Sequence, residues 1–177
     1  LPSTAFVAFM QNHDQIGNRP KGDRVSELIS RDALRMWSTI NLLSPQIPLL
    51  FMGEEWIAST PFLFFSDIGD DLADAIRKSR LEELRDFPET TGDDLPDPMS
   101  EKRFIASKLN WAESETGEHA VMLEHYRTLI ALRKKEIMPR LFGMKSFPGT
   151  YEVLSDKAIS VDWLMGDGSC LKMVANF

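Results

Sequence analysis

The chain has 177 residues, 43% of them hydrophobic and 27% charged, and it carries a formal net charge of -7. This hydrophobic content excludes a disordered chain, and a negative charge without a basic stripe argues against a nucleic-acid partner. No apolar run is long enough to span a bilayer and no secretory signal is recognisable, so no membrane partner is expected, and Cys170 as the single cysteine fits a reducing, cytoplasmic compartment.

Two short apolar runs, at residues 5–10 and 47–52, predict buried parallel strands. Between them, residues 31–43 have helical spacing of apolar side chains, and Ser30 is placed to cap that helix. A strand, a helix and a second strand in this order form a βαβ unit. Such a unit implies a parallel sheet with a right-handed crossover.

Two stretches without helical or strand periodicity predict loops, at residues 12–30 and 88–102. The first contains a short helical turn near residues 24–28. The second is rich in Asp, Glu, Thr and Pro, and this composition predicts a mobile surface loop.

Residues 70–87 and 118–136 predict two further helices with apolar faces. The face of the first consists of Leu72, Ile76, Leu81 and Leu84. The broader face of the second consists of Val121, Leu123, His125, Tyr126, Leu129, Ile130 and Leu132.

The character of the chain changes after Pro139, where short runs predict antiparallel strands. These runs are residues 151–154, 159–164 and 170–177. Gly166 and Gly168 predict a hairpin turn between the runs at 159–164 and 170–177. We therefore expect an α/β part at residues 1–140 and a β module at residues 141–177.

Polar side chains follow both predicted parallel strands. His13 and Asp14 come after the first, and Glu54 and Glu55 come after the second. The carboxyl ends of parallel strands are where α/β proteins place their chemistry, and a carboxylate there can act as acid, base, nucleophile or electrostatic stabiliser. A His-Asp pair is equally often a loop cap, and paired glutamates are more often structural, with Glu54 buried against loop amides and Glu55 at the rim.

Five stretches of the sequence are similar to a known family. They are FMQNHDQIGNR at 9–19, PLLFMGEEW at 48–56, STPF at 59–62, KLNW at 108–111 and HYRTLIALR at 125–133. Together they resemble the α-amylase family of retaining glycosidases, and within it the members that release trehalose from maltooligosyl-trehalose. The resemblance extends over about residues 5–135.

This resemblance implies a fold and a mechanism. The fold would be α/β: the last part of a (β/α)8 TIM barrel, strands seven and eight with their helices, followed by the start of an antiparallel, β-sandwich-like domain. The substrate would be an α-glucan, with no metal or organic cofactor. Asp14 matches the aspartate that stabilises the oxocarbenium-like transition state, His13 matches a sugar-binding histidine, and Gln15 is a further substrate contact.

The nucleophile and acid/base of this family follow barrel strands four and five, which would precede Leu1. We therefore expect the chain to be a piece of a longer enzyme and to be inactive alone. The open sheet edges of such a piece would favour self-association.

Two other interpretations remain open. One is a different α-amylase-family activity, such as branching or debranching. The other is a non-catalytic carbohydrate-binding fragment.

The aromatic stretch at residues 62–65 could stack on sugar rings, although core packing or loop anchoring is about twice as common for such a stretch.

Overall fold

The computed structural model describes residues 1–85, 87 and 97–177. These form two compact units that interleave along the chain. The first unit contains Leu1–Met10, Ile29–Leu50 and Val121–Phe177, and the second contains Gln11–Leu28 and Phe51–Ala120. The predicted domain boundary after residue 140 stays a prediction.

The α-helices in the described residues are α1 (His13–Gly17), α2 (Val25–Leu28), α3 (Arg31–Leu43), α4 (Asp70–Leu84), α5 (Glu101–Ala106) and α6 (Gly117–Leu132), with a π-helical stretch at Arg133–Ile137. Short 3-10 helices include Glu54–Trp56 and Trp111–Glu115. The strands are β1 (Val7–Ala8), β2 (Ile47–Pro48), β3 (Gly149–Ser155), β4 (Ala158–Leu164) and β5 (Cys170–Asn176). None of the helices described is both long and apolar enough to cross a membrane. Most of the predicted loop at 88–102, residues 88–96, lies outside the described residues, and α5 begins before its end.

The parallel pairing predicted in the first unit is present. Strands β1 and β2 run parallel, with Val7 opposite Ile47. The expectation that they are buried is wrong, because Val7 is 54% exposed and Ile47 is 48% exposed. A parallel strand is normally covered on both faces and flanked by other strands, whereas this sheet has two strands in the part of the chain that the structure describes.

Helix α3 begins and ends where the sequence predicts. The hydroxyl of Ser30 accepts a hydrogen bond from the backbone N–H of Ala33 at 3.2 Å, which caps the first turn. Leu34 and Leu42 are each 1% exposed. Trp37, which has the same helical spacing, is instead 41% exposed, and its ring stacks on Phe177 with a centroid distance of 5.1 Å.

The helix predicted at 118–136 is α6 together with the π-helical stretch. Its buried side is narrower than the predicted face, since Tyr126 and Leu129 are buried but Val121 is 55% exposed and Leu132 is 42% exposed. The stretch begins with the buried Arg133, whose guanidinium donates hydrogen bonds to the carbonyls that follow α3.

The antiparallel module predicted near the end of the chain is confirmed. Strands β3, β4 and β5 are hydrogen-bonded in that order, and Val161 of β4 lies opposite both Tyr151 and Met173. One face of this sheet packs on a small core formed by Ile137, Met144, Trp163 and Met165. Strand β3 is exposed along its whole length.

Helix α4 of the second unit buries only part of the predicted face, since Leu84 is 4% exposed as predicted but two other leucines are exposed. Leu72 and Leu81 are 60% and 45% exposed, whereas Arg80 is 5% exposed. Arg80 donates hydrogen bonds to the carbonyl of Gly17 at 3.1 Å and to the side chain of Asn18 at 3.0 Å. Since a buried guanidinium needs such partners, these contacts allow Arg80 to lie on the buried side of the helix.

His125 on α6 gives the first unit a pH-dependent contact. Its Nε2 lies 3.0 Å from the hydroxyl of Ser38 on α3. Burial lowers the pKa of His125 from its ordinary value of 6.5. A hydrogen bond with the backbone of Arg35 opposes this shift in part, and the positive charge of Arg35 adds to it.

We therefore expect the free energy of unfolding to fall as the pH decreases through about 6.5, because the unfolded chain takes up this proton at a higher pH than the folded chain. Replacing His125 by asparagine removes this contribution, so the slope of stability against pH should become smaller below pH about 6.5. Urea unfolding at a series of pH values measures the slope, and an unchanged slope in the variant would contradict the assignment.

Candidate functional site

Helix α1 presents the Asn-His-Asp-Gln motif in a defined local structure. Asn12 is the N-cap: its side-chain oxygen accepts from the backbone N–H of Asp14 at 2.6 Å, and the side-chain oxygen of Gln15 accepts from the backbone N–H of Asn12 at 2.9 Å. This reciprocal pair is a capping box. The prediction of a loop at residues 12–30 is wrong for α1, whereas the helical turn predicted near residues 24–28 is found as α2. The spacing of Asn12 and Gln15 is the signal in the sequence that marks α1.

The predicted sugar-binding residues lie side by side at the start of α1. The side chains of His13 and Asp14 are 70% and 63% exposed, and His13 Nε2 lies 3.3 Å from Asp14 Oδ1. An exposed pair of this kind contributes about 0–1 kcal/mol to stability, so the fold does not depend on it. Gln15 is also exposed. The structure thus brings His13, Asp14 and Gln15 together within one helical turn, and their roles stay predictions.

Glu54 is a buried structural carboxylate. It is 2% exposed, and its Oε2 accepts hydrogen bonds from the side chain of Gln11 and from the backbone N–H of Phe51, each at 3.3 Å. Gln11 is itself 3% exposed and accepts from the backbone N–H of Val25 at 3.0 Å. The interpretation of Glu54 as bonded to a loop amide is confirmed, and Glu55 is half-buried.

Arg24 joins two loop segments beside Glu54, a role that the sequence does not predict. It is 2% exposed, and it donates to the carbonyls of Thr60 at 2.6 Å and Met52 at 2.8 Å. Burial lowers the pKa of Arg24, while the negative charges of Glu55, Glu113 and Glu54 oppose that shift. An arginine in a polar loop has no feature in a single sequence that separates it from a solvated one.

Gly53 allows the chain to turn just before Glu54. Its φ is +81°, in the left-handed region. A Cβ atom at this position would lie 2.7 Å from Ala58 Cβ and 2.7 Å from Leu109 Cδ2. Both the backbone angle and the close approach therefore require glycine here.

A cleft of about 350 Å³ lies in the same unit. We call it the aromatic cleft, and its rings are Phe62, Phe65, Phe104 and Trp111. Phe62 also packs edge-on against Phe51, with ring centroids 5.1 Å apart, and therefore anchors its loop. A Cβ atom on Gly17, the last residue of α1, would lie 3.6 Å from the Phe62 ring, so the cleft adjoins that helix.

No group of three or more His, Cys, Asp or Glu side chains is placed to bind a metal ion within the described residues. The chemistry available at the start of α1 is that of an exposed imidazole, an exposed carboxylate and an amide. These groups can donate to and accept from sugar hydroxyls.

Several curated proteins named malto-oligosyltrehalose trehalohydrolase are similar to the chain. The Deinococcus radiodurans protein is 47% identical over 136 residues, which are 77% of this chain and 23% of that protein. The Mycobacterium tuberculosis protein is 44% identical over 137 residues, again 77% of this chain and 23% of that protein. The Saccharolobus solfataricus protein is 36% identical over 136 residues, which are 76% of this chain and 22% of that protein.

The chain is a relative of the malto-oligosyltrehalose trehalohydrolases. The resemblance carried by the sequence motifs is confirmed. The chain spans 22–23% of the length of these trehalohydrolases. No family model matches it.

The similarity to trehalohydrolases is accompanied by a similarity in structure to an α-amylase. A crystal structure of a Salmonella typhimurium protein assigned as an alpha amylase matches 99% of this chain with a TM-score of 0.90 and 41% identity. The match covers 29% of that protein. An α-amylase-like fold for the chain is therefore supported over nearly its whole length.

Proposed function

We propose that the chain is part of a retaining glycoside hydrolase that cleaves the α-1,4-glucosidic bond next to the trehalose end of maltooligosyl-trehalose and releases trehalose. The similarity to the trehalohydrolases, up to 47% identity, is the observation that supports this most directly. The exposed pair His13 and Asp14 at the start of α1 agrees with it, because a substrate can reach both side chains.

The proposal includes the finer architecture. Strands β1 and β2 would be strands seven and eight of a (β/α)8 barrel, and the sheet formed by β3, β4 and β5 would begin a β-sandwich-like C-terminal domain at residues 141–177. The parallel pairing of β1 with β2 supports the first assignment. A cytoplasmic location is part of the same proposal.

The proposed mechanism assigns a part to each residue of the motif. In a double displacement, a carboxylate attacks the anomeric carbon while a second carboxyl group protonates the leaving oxygen, with the two groups about 5–5.5 Å apart. Asp14 would stabilise the oxocarbenium-like transition state, and His13 and Gln15 would bind hydroxyls of the same sugar. We propose that the nucleophile and acid/base belong to a part of the enzyme outside this chain, so that the chain alone binds the sugar without hydrolysing it.

The test is a calorimetric titration of the chain with maltooligosyl-trehalose, which measures binding. A separate assay measures released trehalose. Replacing Asp14 by asparagine should raise the dissociation constant about tenfold, equivalent to about 1.4 kcal/mol. Replacing Asp156, an exposed turn carboxylate, by asparagine is the control and should leave binding unchanged.

Robust release of trehalose by the chain alone would contradict the proposed absence of the nucleophile and acid/base. Equal affinities of the two variants would contradict the role of Asp14. Light scattering of the same samples measures the proposed self-association, which predicts a mass above the 20.1 kDa of one chain.

A second candidate is another α-amylase-family activity on α-glucans. The similarity to the Salmonella protein, with a TM-score of 0.90, supports it. Titration with a maltooligosaccharide of the same length distinguishes the two, because a trehalohydrolase site should bind the ligand with the trehalose end more tightly.

A further inference from the structure

We propose that the aromatic cleft is a second contact site for α-glucan, in which the Trp111 ring stacks on a glucose unit. The ligand class rests on the proposed function. The site itself rests on the geometry of the cleft, which is independent of the Asn-His-Asp-Gln motif.

Trp111 is exposed and yet held in place. The residue is 67% exposed, while its neighbour Trp56 is 2% exposed, and the two ring centroids lie 4.9 Å apart. A large exposed aromatic ring with a buried neighbour offers its outer face to a ligand at little cost in conformational entropy.

The turn that begins at Trp111 is fixed by hydrogen bonds. The carboxylate of Glu113 accepts from the backbone N–H of Ser59 at 2.9 Å and from the Ser59 hydroxyl at 2.7 Å. These bonds tie the short helix Trp111–Glu115 to the loop after Gly53. The ring is therefore preorganised and does not need to be ordered by the ligand.

The other side of the cleft combines aromatic surface with a hydrogen-bond donor. Phe104 is 45% exposed and packs edge-on against Phe65, with centroids 5.4 Å apart. The ammonium group of Lys108 lies 4.7 Å from the centre of the Phe104 ring. A volume of about 350 Å³ is within the range of small-molecule sites, which are mostly apolar with a few polar groups.

A glucose ring has the complementary chemistry. One of its faces presents C–H groups, which pack on an aromatic ring, and its edges carry hydroxyls, which can accept from an ammonium group. A nucleic-acid base would also stack on Trp111, but the net charge of -7 disfavours that class of ligand. A purely apolar ligand would leave Lys108 without a polar partner in the cleft.

The position of the cleft agrees with a glucan ligand. Phe62 lines the cleft and lies against the last residue of α1, which is Gly17. Asp14 lies three residues earlier on the same helix, a rise of about 4.5 Å along its axis. The cleft is thus next to the element that carries the proposed sugar-binding residues.

The experiment is an NMR titration of the isotopically labelled full chain with maltoheptaose. The chain has four tryptophans, so the four indole N–H signals can be assigned with single variants. We expect the Trp111 signal to shift on titration, and replacing Trp111 by alanine should raise the dissociation constant at least tenfold. Trp37 is the matched control, because it is 41% exposed and lies on α3 of the first unit, so its replacement by alanine should leave affinity unchanged.

The shift in the unmodified chain is decisive even where a variant does not fold. Absence of a Trp111 shift at saturating maltoheptaose would overturn the proposal, and so would an equal shift with the β-linked cellohexaose. The backbone signals of His13 and Asp14 are read in the same spectra. A shift at Trp111 without one at Asp14 supports the cleft and contradicts the proposed role of Asp14, whereas the reverse pattern overturns the cleft and leaves the proposed function standing.

Discussion

Replacing Arg133 by methionine is expected to lower the free energy of unfolding by about 3 kcal/mol or more. Arg133 is 7% exposed, and its Nη1 donates to the carbonyls of Leu42 at 2.8 Å and Ser44 at 2.6 Å, while Nη2 donates to the carbonyl of Gln46 at 2.7 Å. Methionine keeps much of the apolar volume and donates nothing. The variant therefore leaves three carbonyls without their partner at the point where α3 ends.

The size of this effect follows from burial. Burial lowers the pKa of Arg133, which means that the charged group has lost favourable contact with water. The three carbonyl bonds compensate for that loss in the folded chain, and the carbonyls in turn depend on Arg133 because helix ends leave such groups without partners in the helix. Removing the guanidinium therefore leaves these buried carbonyls without a hydrogen-bond donor, and this lowers the stability of the folded chain.

Arg127 supplies the control for this prediction, since it lies on α6 only six residues before Arg133. Its side chain is 66% exposed and makes an ion pair with Glu124 at 3.5 Å. Replacing Arg127 by methionine should change stability by less than about 0.5 kcal/mol. Urea unfolding monitored by circular dichroism measures both variants, and a loss at Arg133 no larger than the loss at Arg127 would contradict the proposed role of the Arg133 hydrogen bonds.

Replacing Arg24 by methionine is expected to lower the free energy of unfolding by about 2–3 kcal/mol. Arg24 makes two carbonyl bonds, to Met52 and Thr60, and its guanidinium carbon lies 5.6 Å from the centre of the Phe51 ring. Its Nη2 has no hydrogen-bond partner among the described residues. Because the variant also removes this unsatisfied donor, the loss should be smaller than at Arg133.

The Arg24 variant should also loosen the loop that contains Glu54. The backbone N–H of Ala58 donates to the carbonyl of Gly53 at 2.8 Å, within the segment that Arg24 spans. Hydrogen exchange at the Ala58 amide is expected to become faster in the Arg24 variant, by more than the global loss of stability alone would cause. Replacing the exposed Arg85 by methionine is the control, and equal exchange at Ala58 in both variants would show that Arg24 does not hold the loop.

Features that depend on neighbours in the sequence could be predicted. Ser30 marks the start of α3, and the predicted antiparallel strands are found as β3, β4 and β5. Caps, turns and hydrophobic periodicity act over a few residues, so a single sequence contains them. The motif that includes His13 and Asp14 is equally local, and its residues alone indicate the relationship to the trehalohydrolases.

The same local rules fail where a distant partner decides the outcome. Leu72 and Leu81 have the spacing of a buried face, yet both are exposed, and α4 buries the charged Arg80 together with Leu84. The length and exposure of β1 likewise depend on which strands lie beside it. Periodicity ranks side chains by their hydrophobicity and takes no account of hydrogen bonds that a buried polar group can make elsewhere in the fold.

The sequence by itself determined the order of the main elements, the cap of α3 and the relationship to a glycosidase family. Only the tertiary structure showed that Arg24 and Arg133 bind distant backbone carbonyls and that Trp111 stands exposed beside a cleft. The sequence could not predict these contacts because the hydrogen-bonded partners lie far apart along the chain. Arg133 binds a carbonyl 91 residues away, and the sequence around either residue contains no trace of that contact, because any residue provides the same carbonyl oxygen.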